Sequence, residues 1–140
     1  MSIKDLIPHR EPFLFVEELI KADERTIIGE KHFSGDEFFF QGHFPGYPVV
    51  PGVLLIEAMA QCGGAGIRKA GIVEKTAIYF LVTIDKAKFR RQVLPGDTVR
   101  FEITNKRVTK QMLKQAGTAY VGDEVAVEAS WMAIIKQGEQ

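Results

Sequence analysis

The segment that most constrains the fold is Val53–Cys62 (VLLIEAMAQC), which would be apolar on nearly every side as a helix. A helix of that kind is buried rather than amphipathic, so other parts of the chain must surround it. Pro and Gly residues bound the segment and predict one helix within Pro51–Gly71. Three glycines in its second half predict a close approach of another backbone or of a ligand. They are Gly63, Gly64 and Gly66.

Strand patterns lie on both sides of the predicted helix. Phe13–Ile20 and Thr26–Phe33 predict a hairpin joined by a polar turn at Lys21–Arg25. Turn signals separate the strands predicted after the helix: Thr76–Thr83, Ile84–Val93, Thr98–Val108, Met112–Val121 and Glu124–Ile135. Hairpin connections indicate an antiparallel sheet, which must curl around the helix to cover it. The fold class is therefore α+β, as one domain over residues 1–140 without linker or repeat.

Composition excludes several classes of function. Lys plus Arg and Asp plus Glu both number 18, which argues against a general nucleic-acid binder. One Cys and three His do not readily supply a zinc site, and one Cys allows no disulfide within the chain. No apolar run approaches the roughly 18 residues of a membrane span, and the first ten residues lack a secretory signal. We therefore expect a cytoplasmic protein.

Glu57 is the first candidate for chemistry. It lies in the most apolar segment, with no Lys or Arg within ten residues on either side. Burial would raise the pKa of its carboxyl, since burial disfavours the charged form. Gln61 follows one helical turn later, on the same face, and could hydrogen-bond to the carboxyl. The alternative is that Glu57 simply faces solvent.

His43 lies between aromatic and turn residues in the loop Ser34–Val50, which holds four Phe and must therefore pack. From residue type alone a structural histidine is the commoner interpretation. The loop returns, however, to the start of the helix that carries Glu57, so His43 and Glu57 could act as base and acid at one pocket. The free backbone N–H groups of Gly52 and Val53 at the helix start could stabilise an oxyanion.

The remaining candidates are weaker. Cys62 lies on the buried helix and is better explained as a small core residue than as a nucleophile. His9 and His32 are better explained as structural than as catalytic. Nine basic and three acidic residues lie between positions 85 and 114. Part of this block is either a solvated strand face or a docking patch: Lys86, Lys88, Arg90 and Arg91.

The stretch FFQGHFPGYPVVPGVLLIEAMAQ (residues 39–61) closely resembles the signature of the (3R)-hydroxyacyl-[acyl-carrier-protein] dehydratases of type II fatty acid synthesis. Further matches are PHREPFL at 8–14, the segment from Ile84 to Asp97, Gly122, and VEA at 127–129. The resemblance covers in effect the whole chain and implies the hot-dog fold.

The resemblance also implies a mechanism. His43 resembles the base that removes the α-proton of a 3-hydroxyacyl thioester. Glu57 resembles the acid that helps the hydroxyl to leave as water, giving the trans-2-enoyl thioester, and it comes from the other subunit of a dimer. Gln61 matches the residue that holds this carboxyl, and Gly52 the backbone N–H that binds the thioester carbonyl. The family needs no metal and no organic cofactor.

The resemblance implies partners as well. The phosphopantetheine arm of acyl carrier protein delivers the substrate, and the family usually assembles as hexamers, trimers of dimers. Carrier proteins are acidic, so the basic cluster is a docking hypothesis. The acyl chain would lie in an apolar tunnel beside the helix, which the three glycines could widen. Nucleic acid and membranes are not expected partners.

Some alternatives stay open. Glu at position 57, where the dehydratase/isomerase branch has Asp, favours dehydration without isomerisation. Departures from the family pattern at Asp36-Glu37-Phe38 and at Thr109–Met112 leave room for a paralogue from a specialised acyl or polyene pathway. A hot-dog thioesterase could use Glu57 to activate water. A non-catalytic module that binds acyl thioesters is the third alternative.

Overall fold

The computed structural model describes residues 2–74 and 77–136, in which one long helix lies against a six-stranded sheet. The helices are α1 (Ile3–Leu6) and α2 (Gly52–Lys69), with a 3-10 turn at Phe38–Gln41. The strands are β1 (Glu18–Ala22), β2 (Thr26–His32), β3 (Ile78–Phe89), β4 (Thr98–Val108), β5 (Met112–Val121) and β6 (Glu124–Lys136). No helix within these ranges is long and apolar enough to cross a membrane.

The sheet has the order β1-β2-β4-β5-β6-β3, and every neighbouring pair is antiparallel. Side chains alternate along the central strands, so Val99, Phe101 and Ile103 of β4 are fully buried between sheet and helix. Met59 of α2 and Trp131 of β6 fill the same core. The prediction of an antiparallel sheet covering one buried helix is confirmed.

Helix α2 begins and ends close to the predicted positions. Pro51 is the N-cap rather than a residue of the first turn, and Gly52 is the first helical residue. At the other end Gly71 has a φ of +81°, a conformation that glycine adopts without strain. The N–H of Ile72 then donates to the Ile67 carbonyl at 3.0 Å, which satisfies an otherwise free carbonyl of the last turn.

Two strand boundaries were predicted wrongly. The predicted strand Phe13–Ile20 is a strand only from Glu18, and β1 continues to Ala22 through part of the predicted turn Lys21–Arg25. The two runs predicted over 76–93 form one strand, β3, with register shifts where it bends. Thr76, the predicted first residue of this run, lies outside the described residues.

The aromatic loop packs only in part. Phe39 and Phe40 of the 3-10 turn are buried in the core, whereas Phe38 and Phe44 are about half exposed. A 3-10 turn repeats every three residues, so three consecutive rings cannot all face the core. The prediction that this loop packs is therefore confirmed for Phe39 and Phe40, whereas Phe38 and Phe44 stay half exposed in the single chain.

The glycines of α2 accommodate side chains of the sheet rather than a ligand. A Cβ added at Gly63 would overlap the amide of Gln115, one at Gly64 would approach Tyr79 at 3.0 Å, and one at Gly66 would overlap Ile27. The space beside these glycines is filled, so the prediction that they widen an acyl tunnel is wrong.

Substituting Ala for Gly66 is therefore expected to destabilise the protein. Helix propensity alone would favour Ala by about 1 kcal/mol. The added Cβ would overlap the branched side chain of Ile27, which is fully buried and cannot move aside, and such overpacking costs about 1–3 kcal/mol. Urea unfolding measures the difference. Gly42→Ala is the control, since its added Cβ meets nothing within 4 Å, and a stabilised Gly66→Ala variant would contradict the packing argument.

Candidate active site

His43 is held by the loop that precedes α2. Its ring Nδ1 lies 3.2 Å from the carbonyl oxygen of Val49, and the Val49 N–H donates to the His43 carbonyl at 3.0 Å. A carbonyl oxygen can only accept, so Nδ1 carries the proton and Nε2 keeps its lone pair. The Phe44 ring stacks on the imidazole with the ring centres 4.3 Å apart. This is the arrangement of a histidine that can accept a proton at Nε2.

The start of α2 lies beside His43. Both His43 and Gly52 line a cavity of about 380 Å³, and Phe89 at the end of β3 lines it too. No side chain caps the helix start, so its first N–H groups are left for a ligand or water. Val53 is 69% exposed and does not line this cavity. Of the two predicted oxyanion donors, only Gly52 is next to the histidine.

Glu57 is largely buried, with 22% of its side chain exposed. Burial raises the pKa of its carboxyl above the ordinary 4.5, although a hydrogen bond from Gln61 acts in the opposite direction. The Gln61 Nε2 donates to Glu57 Oε2 at 3.0 Å. The interpretation of Glu57 as a solvated surface residue is therefore not supported.

Gln61 is itself fixed on both ends of its amide. Its Nε2 also donates to the Phe13 carbonyl at 3.0 Å, and its Oε1 accepts the Phe15 N–H at 2.8 Å. A buried amide with every group paired has one orientation, so its position is set by the backbone of residues 13–15. Because Gln61 also donates to the Glu57 carboxyl, the backbone of residues 13–15 fixes the position of that carboxyl through Gln61.

His9 lies on the other side of Glu57 and was not predicted as part of the site. Its Nε2 is 3.8 Å from Glu57 Oε2. Burial, and secondarily the positive charge of Arg10, lowers the pKa of His9 below the ordinary 6.5. No sequence spacing could have shown this contact, because the two residues lie on separate elements that only the tertiary fold brings together.

Within one chain, His43 and Glu57 line different cavities. The cavity that holds Glu57 and His9 has a volume of about 220 Å³ and is closed by Tyr79, Phe80 and other residues of the sheet. The hypothesis that both groups of one chain flank one pocket is therefore not supported. Each cavity holds half of the predicted acid–base pair.

The basic cluster is divided. Arg90 and Arg91 line the His43 cavity, whereas Lys86 lines a separate hollow on the outer face of the sheet. The Arg90 Nε pairs with Glu128 at 2.8 Å, and Arg91 lies within 4 Å of Asp97 and Glu124. Lys86 and Lys88 are exposed on β3. The two arginines thus line the cavity, with acidic side chains already beside them.

Cys62 is fully buried, and burial raises the pKa of its thiol to about 12. A thiol with that pKa is not a nucleophile at neutral pH. His32 donates or accepts a hydrogen bond with Thr98 Oγ1 at 2.9 Å on the exposed end of β2. In residues 2–74 and 77–136 no three His, Cys, Asp or Glu side chains are grouped as metal ligands would be.

The family model of the FabA-like domain matches residues 7–130, which include both halves of the site. The chain belongs to the FabA-like family. It is 47% identical over 137 residues to the 3-hydroxyacyl-[acyl-carrier-protein] dehydratase FabZ of Pelotomaculum thermopropionicum, covering 96% of each chain. It is 45% identical to the FabZ of Desulforamulus reducens, covering 97% of this chain and 96% of that relative. This similarity confirms the predicted resemblance to the FabZ-type dehydratases.

The fold has a clear structural relative. The dehydratase heterocomplex ApeI:P from Xenorhabdus doucetiae superposes with a TM-score of 0.83 at 18% identity, covering all of this chain and 93% of that one. At that identity the likeness concerns the fold alone. Together with the family match, it confirms the α+β hot-dog fold.

Proposed function

We propose that this member of the FabA-like family is a hydro-lyase that converts (3R)-3-hydroxyacyl-[acyl-carrier-protein] to the trans-2-enoyl product in fatty acid biosynthesis. The FabZ relatives carry this activity in their names and are similar over nearly the whole chain. The observation that carries the proposal is His43, whose Nδ1 is paired with the Val49 carbonyl so that Nε2 is free as a base.

The proposed mechanism uses acid–base chemistry only. The Nε2 of His43 removes the proton from C2, and the negative charge that develops on the thioester oxygen is stabilised by the Gly52 N–H at the positive end of α2. Glu57, whose pKa burial raises above the ordinary 4.5, gives its proton to the C3 hydroxyl. The C3–O bond breaks, water leaves and the C2=C3 double bond forms. Proton exchange through water then restores both residues, and no electrons are transferred to a cofactor.

We further propose that the working unit is a homodimer. Strand β3 is an edge of the sheet, since among residues 2–74 and 77–136 its one partner strand is β6. Its outer residues Phe80, Val82 and Ile84 are 52%, 48% and 47% exposed. A long apolar edge strand is a template for pairing with another chain. A second copy of β3 has matching length and matching apolar character, so we infer that it covers this edge.

Antiparallel pairing of two β3 strands would complete the site. Phe89 at one end of β3 lines the His43 cavity, and Tyr79 at the other end lines the Glu57 cavity. A two-fold axis through the middle of β3 places each Phe89 near the partner's Tyr79. The His43 cavity of one subunit then faces the Glu57 cavity of the other, which accounts for the division of the pair within one chain. Assembly of dimers into a hexamer is a further prediction from the family.

Subunit mixing tests the shared site. His43→Ala and Glu57→Gln homodimers are each expected to be inactive, because both of their sites lack one group. After subunit exchange in an equal mixture, half of the dimers are mixed and each of these has one intact site, so about a quarter of wild-type activity should return. Mass spectrometry of the intact dimers checks that exchange occurred. Exchange without recovered activity would contradict a site built from two subunits.

We propose that the substrate arrives on acyl carrier protein, docked at Lys86, Lys88, Arg90 and Arg91. Carrier proteins are acidic, and Arg90 and Arg91 are among the residues that line the His43 cavity. Complementary charge raises the rate of encounter and is weakened by salt.

Reversing charges at Lys86 and Lys88 to Glu, outside the lining of the His43 cavity, is therefore expected to raise the KM for acyl carrier protein substrates roughly tenfold. The kinetics with a short pantetheine thioester should be unchanged, because that substrate lacks the protein. Lys21→Glu, on the opposite edge of the sheet, is the matched control. Unchanged kinetics with the carrier-protein substrate would remove this docking site.

The primary test of the function is mass spectrometry after incubation of the protein with a 3-hydroxyacyl-[acyl-carrier-protein] series. Loss of one water without any shift of the double bond is expected, since position 57 is Glu. Release of free thiol would support the thioesterase alternative, and unchanged substrate at every chain length would support a binding module. Substrate preference would decide between the housekeeping enzyme and a specialised paralogue. A cytoplasmic location and a single domain over residues 1–140 stay predictions from the sequence.

A further inference from the structure

The loop after α1 is held in one conformation by the side chain of Arg10. Its guanidinium donates to the carbonyl oxygens of Lys4 at 2.9 Å, Ile7 at 2.9 Å and His9 at 2.6 Å. The Lys4 ammonium also pairs with Glu11 at 2.9 Å. Three bonds from one planar group fix the backbone between Lys4 and His9, so the imidazole has a defined position relative to α2.

The two nitrogens of His9 differ in their surroundings. Nδ1 is buried and has no hydrogen-bond partner among the described residues, whereas Nε2 faces Glu57 Oε2 at 3.8 Å. A buried N–H without an acceptor is rarer in proteins than a buried acceptor without a donor. The proton of the neutral ring therefore lies on Nε2, and this N–H points towards the carboxyl of Glu57.

The two oxygens of the Glu57 carboxyl are consequently not equivalent. Oε2 already accepts the Gln61 Nε2 at 3.0 Å, and the His9 Nε2 approaches the same oxygen. An oxygen that already accepts one donor and faces a second N–H is a poor place for the acidic proton, since the proton would be directed at other hydrogens. The proton of the neutral carboxyl is therefore favoured on Oε1.

We propose that His9 is a positioning residue for Glu57. When substrate closes the site, the Nε2–H of His9 donates to Oε2 and holds the carboxyl so that Oε1 delivers the proton to the leaving hydroxyl. The gap of 3.8 Å must shorten by about 1 Å to reach hydrogen-bond distance, and catalytic hydrogen bonds often tighten in this way on binding. The proposal rests on the proposed function, because it assigns His9 a role through the acid of that reaction.

The test compares His9→Phe with His9→Gln. Phe keeps a ring of similar size and removes the donor, whereas the Gln amide can place an N–H near the position of Nε2. We expect His9→Phe to lower kcat about 10- to 100-fold at nearly constant KM, as misplacement of a catalytic group does. His9→Gln should stay within about threefold of wild type. His32→Gln is the matched control, and circular dichroism checks that each variant is folded.

A pH profile separates positioning from a structural role. The groups facing the pair are Arg10 from the same loop, Gln61 from α2 and Tyr79 from β3. Loss of a donor to the carboxylate raises the pKa of Glu57 further in the complex with substrate. The alkaline limb of kcat, which reports that complex, should therefore move to higher pH in His9→Phe but not in His9→Gln. Equal profiles in wild type and His9→Phe would overturn the proposal.

A double variant distinguishes this proposal from the proposed function. If His9 acts through Glu57, His9→Phe should cause no further loss of the residual rate that Glu57→Gln keeps, about 10²- to 10⁴-fold below wild type. Full additivity would overturn the positioning role while leaving the dehydratase intact. An active Glu57→Gln enzyme would instead overturn the assignment of Glu57 as the acid. A wild-type kcat in His9→Phe, together with an inactive Glu57→Gln variant, would overturn the positioning role of His9 and keep Glu57 as the acid.

Discussion

Replacing His43 by Ala is expected to lower kcat for dehydration by about 10²- to 10⁴-fold, the range associated with a general base. The Nε2 of His43 is the group proposed to remove the C2 proton, and its orientation depends on the bond from Nδ1 to the Val49 carbonyl. Gly52 and the cavity around it remain, so KM should change much less than kcat. The measurement is the rate of water loss by mass spectrometry.

The control for this variant is His32→Ala, since His32 is exposed at the end of β2 and lines neither cavity. A second variant, His43→Gln, retains a side chain of similar length but cannot take up a proton at neutral pH. Substantial activity in both His43 variants would show that another group acts as the base. Exchange of the C2 proton with deuterated solvent should be lost in parallel with water loss.

Replacing Glu57 by Gln is expected to lower the rate of dehydration about as much as His43→Ala does. It is also expected to stabilise the fold at neutral pH. The carboxyl is the proposed acid, and an amide cannot donate a proton to the leaving hydroxyl. Removal of such a group costs about 10²- to 10⁴-fold in rate. The Gln amide can still accept the Gln61 donor, so the local packing is preserved.

The stability effect follows from the direction of the pKa shift. Burial raises the pKa of Glu57 above 4.5, so the folded state binds its proton more tightly than the unfolded state does. The resulting stabilisation is complete below about pH 4.5 and is lost as the pH rises through the folded pKa. Gln stays neutral throughout. The free energy of urea unfolding should therefore be higher for Glu57→Gln than for wild type at pH 7, and similar at pH 4.

A Gln variant that is less stable than wild type at pH 7 would mean that the folded protein favours the carboxylate. The proposed acid would then be ionised at rest, and the mechanism would need another proton donor. Urea unfolding and the rate of dehydration thus test the protonation of the Glu57 carboxyl in two independent ways. A more stable but inactive variant is the signature of a group retained for chemistry at a cost in stability.

Much of the fold could be predicted because its signals are local. Helix α2 followed from a segment that is apolar on nearly every side, and β4 to β6 from alternation and turn residues. The strand prediction was wrong for residues 13–17, although their aromatic pattern is typical of a strand. The backbone of Phe13 and Phe15 is hydrogen-bonded to the side chain of Gln61 instead of to a neighbouring strand. No single-segment pattern contains that information.

A site residue could be predicted where its residue type is unusual for its surroundings in the sequence. Glu57 stood out as a carboxyl in apolar surroundings, and Gln61 followed from helical spacing. His9 could not be found in this way, since its role depends on the packing of a loop 48 residues away in sequence against α2. The division of His43 and Glu57 between two cavities was likewise expected only through the family resemblance.

The location of the two half-sites at opposite ends of β3 has a genetic consequence. Under the proposed pairing, a subunit that lacks only His43 or only Glu57 still supplies the other group to its partner, so a mixed dimer with a normal subunit keeps one working site. A subunit lacking both groups supplies nothing and disables both sites of every dimer it enters. Single loss alleles of this protein would therefore be partially compensated in a cell that also makes the normal chain. The double allele would be dominant negative.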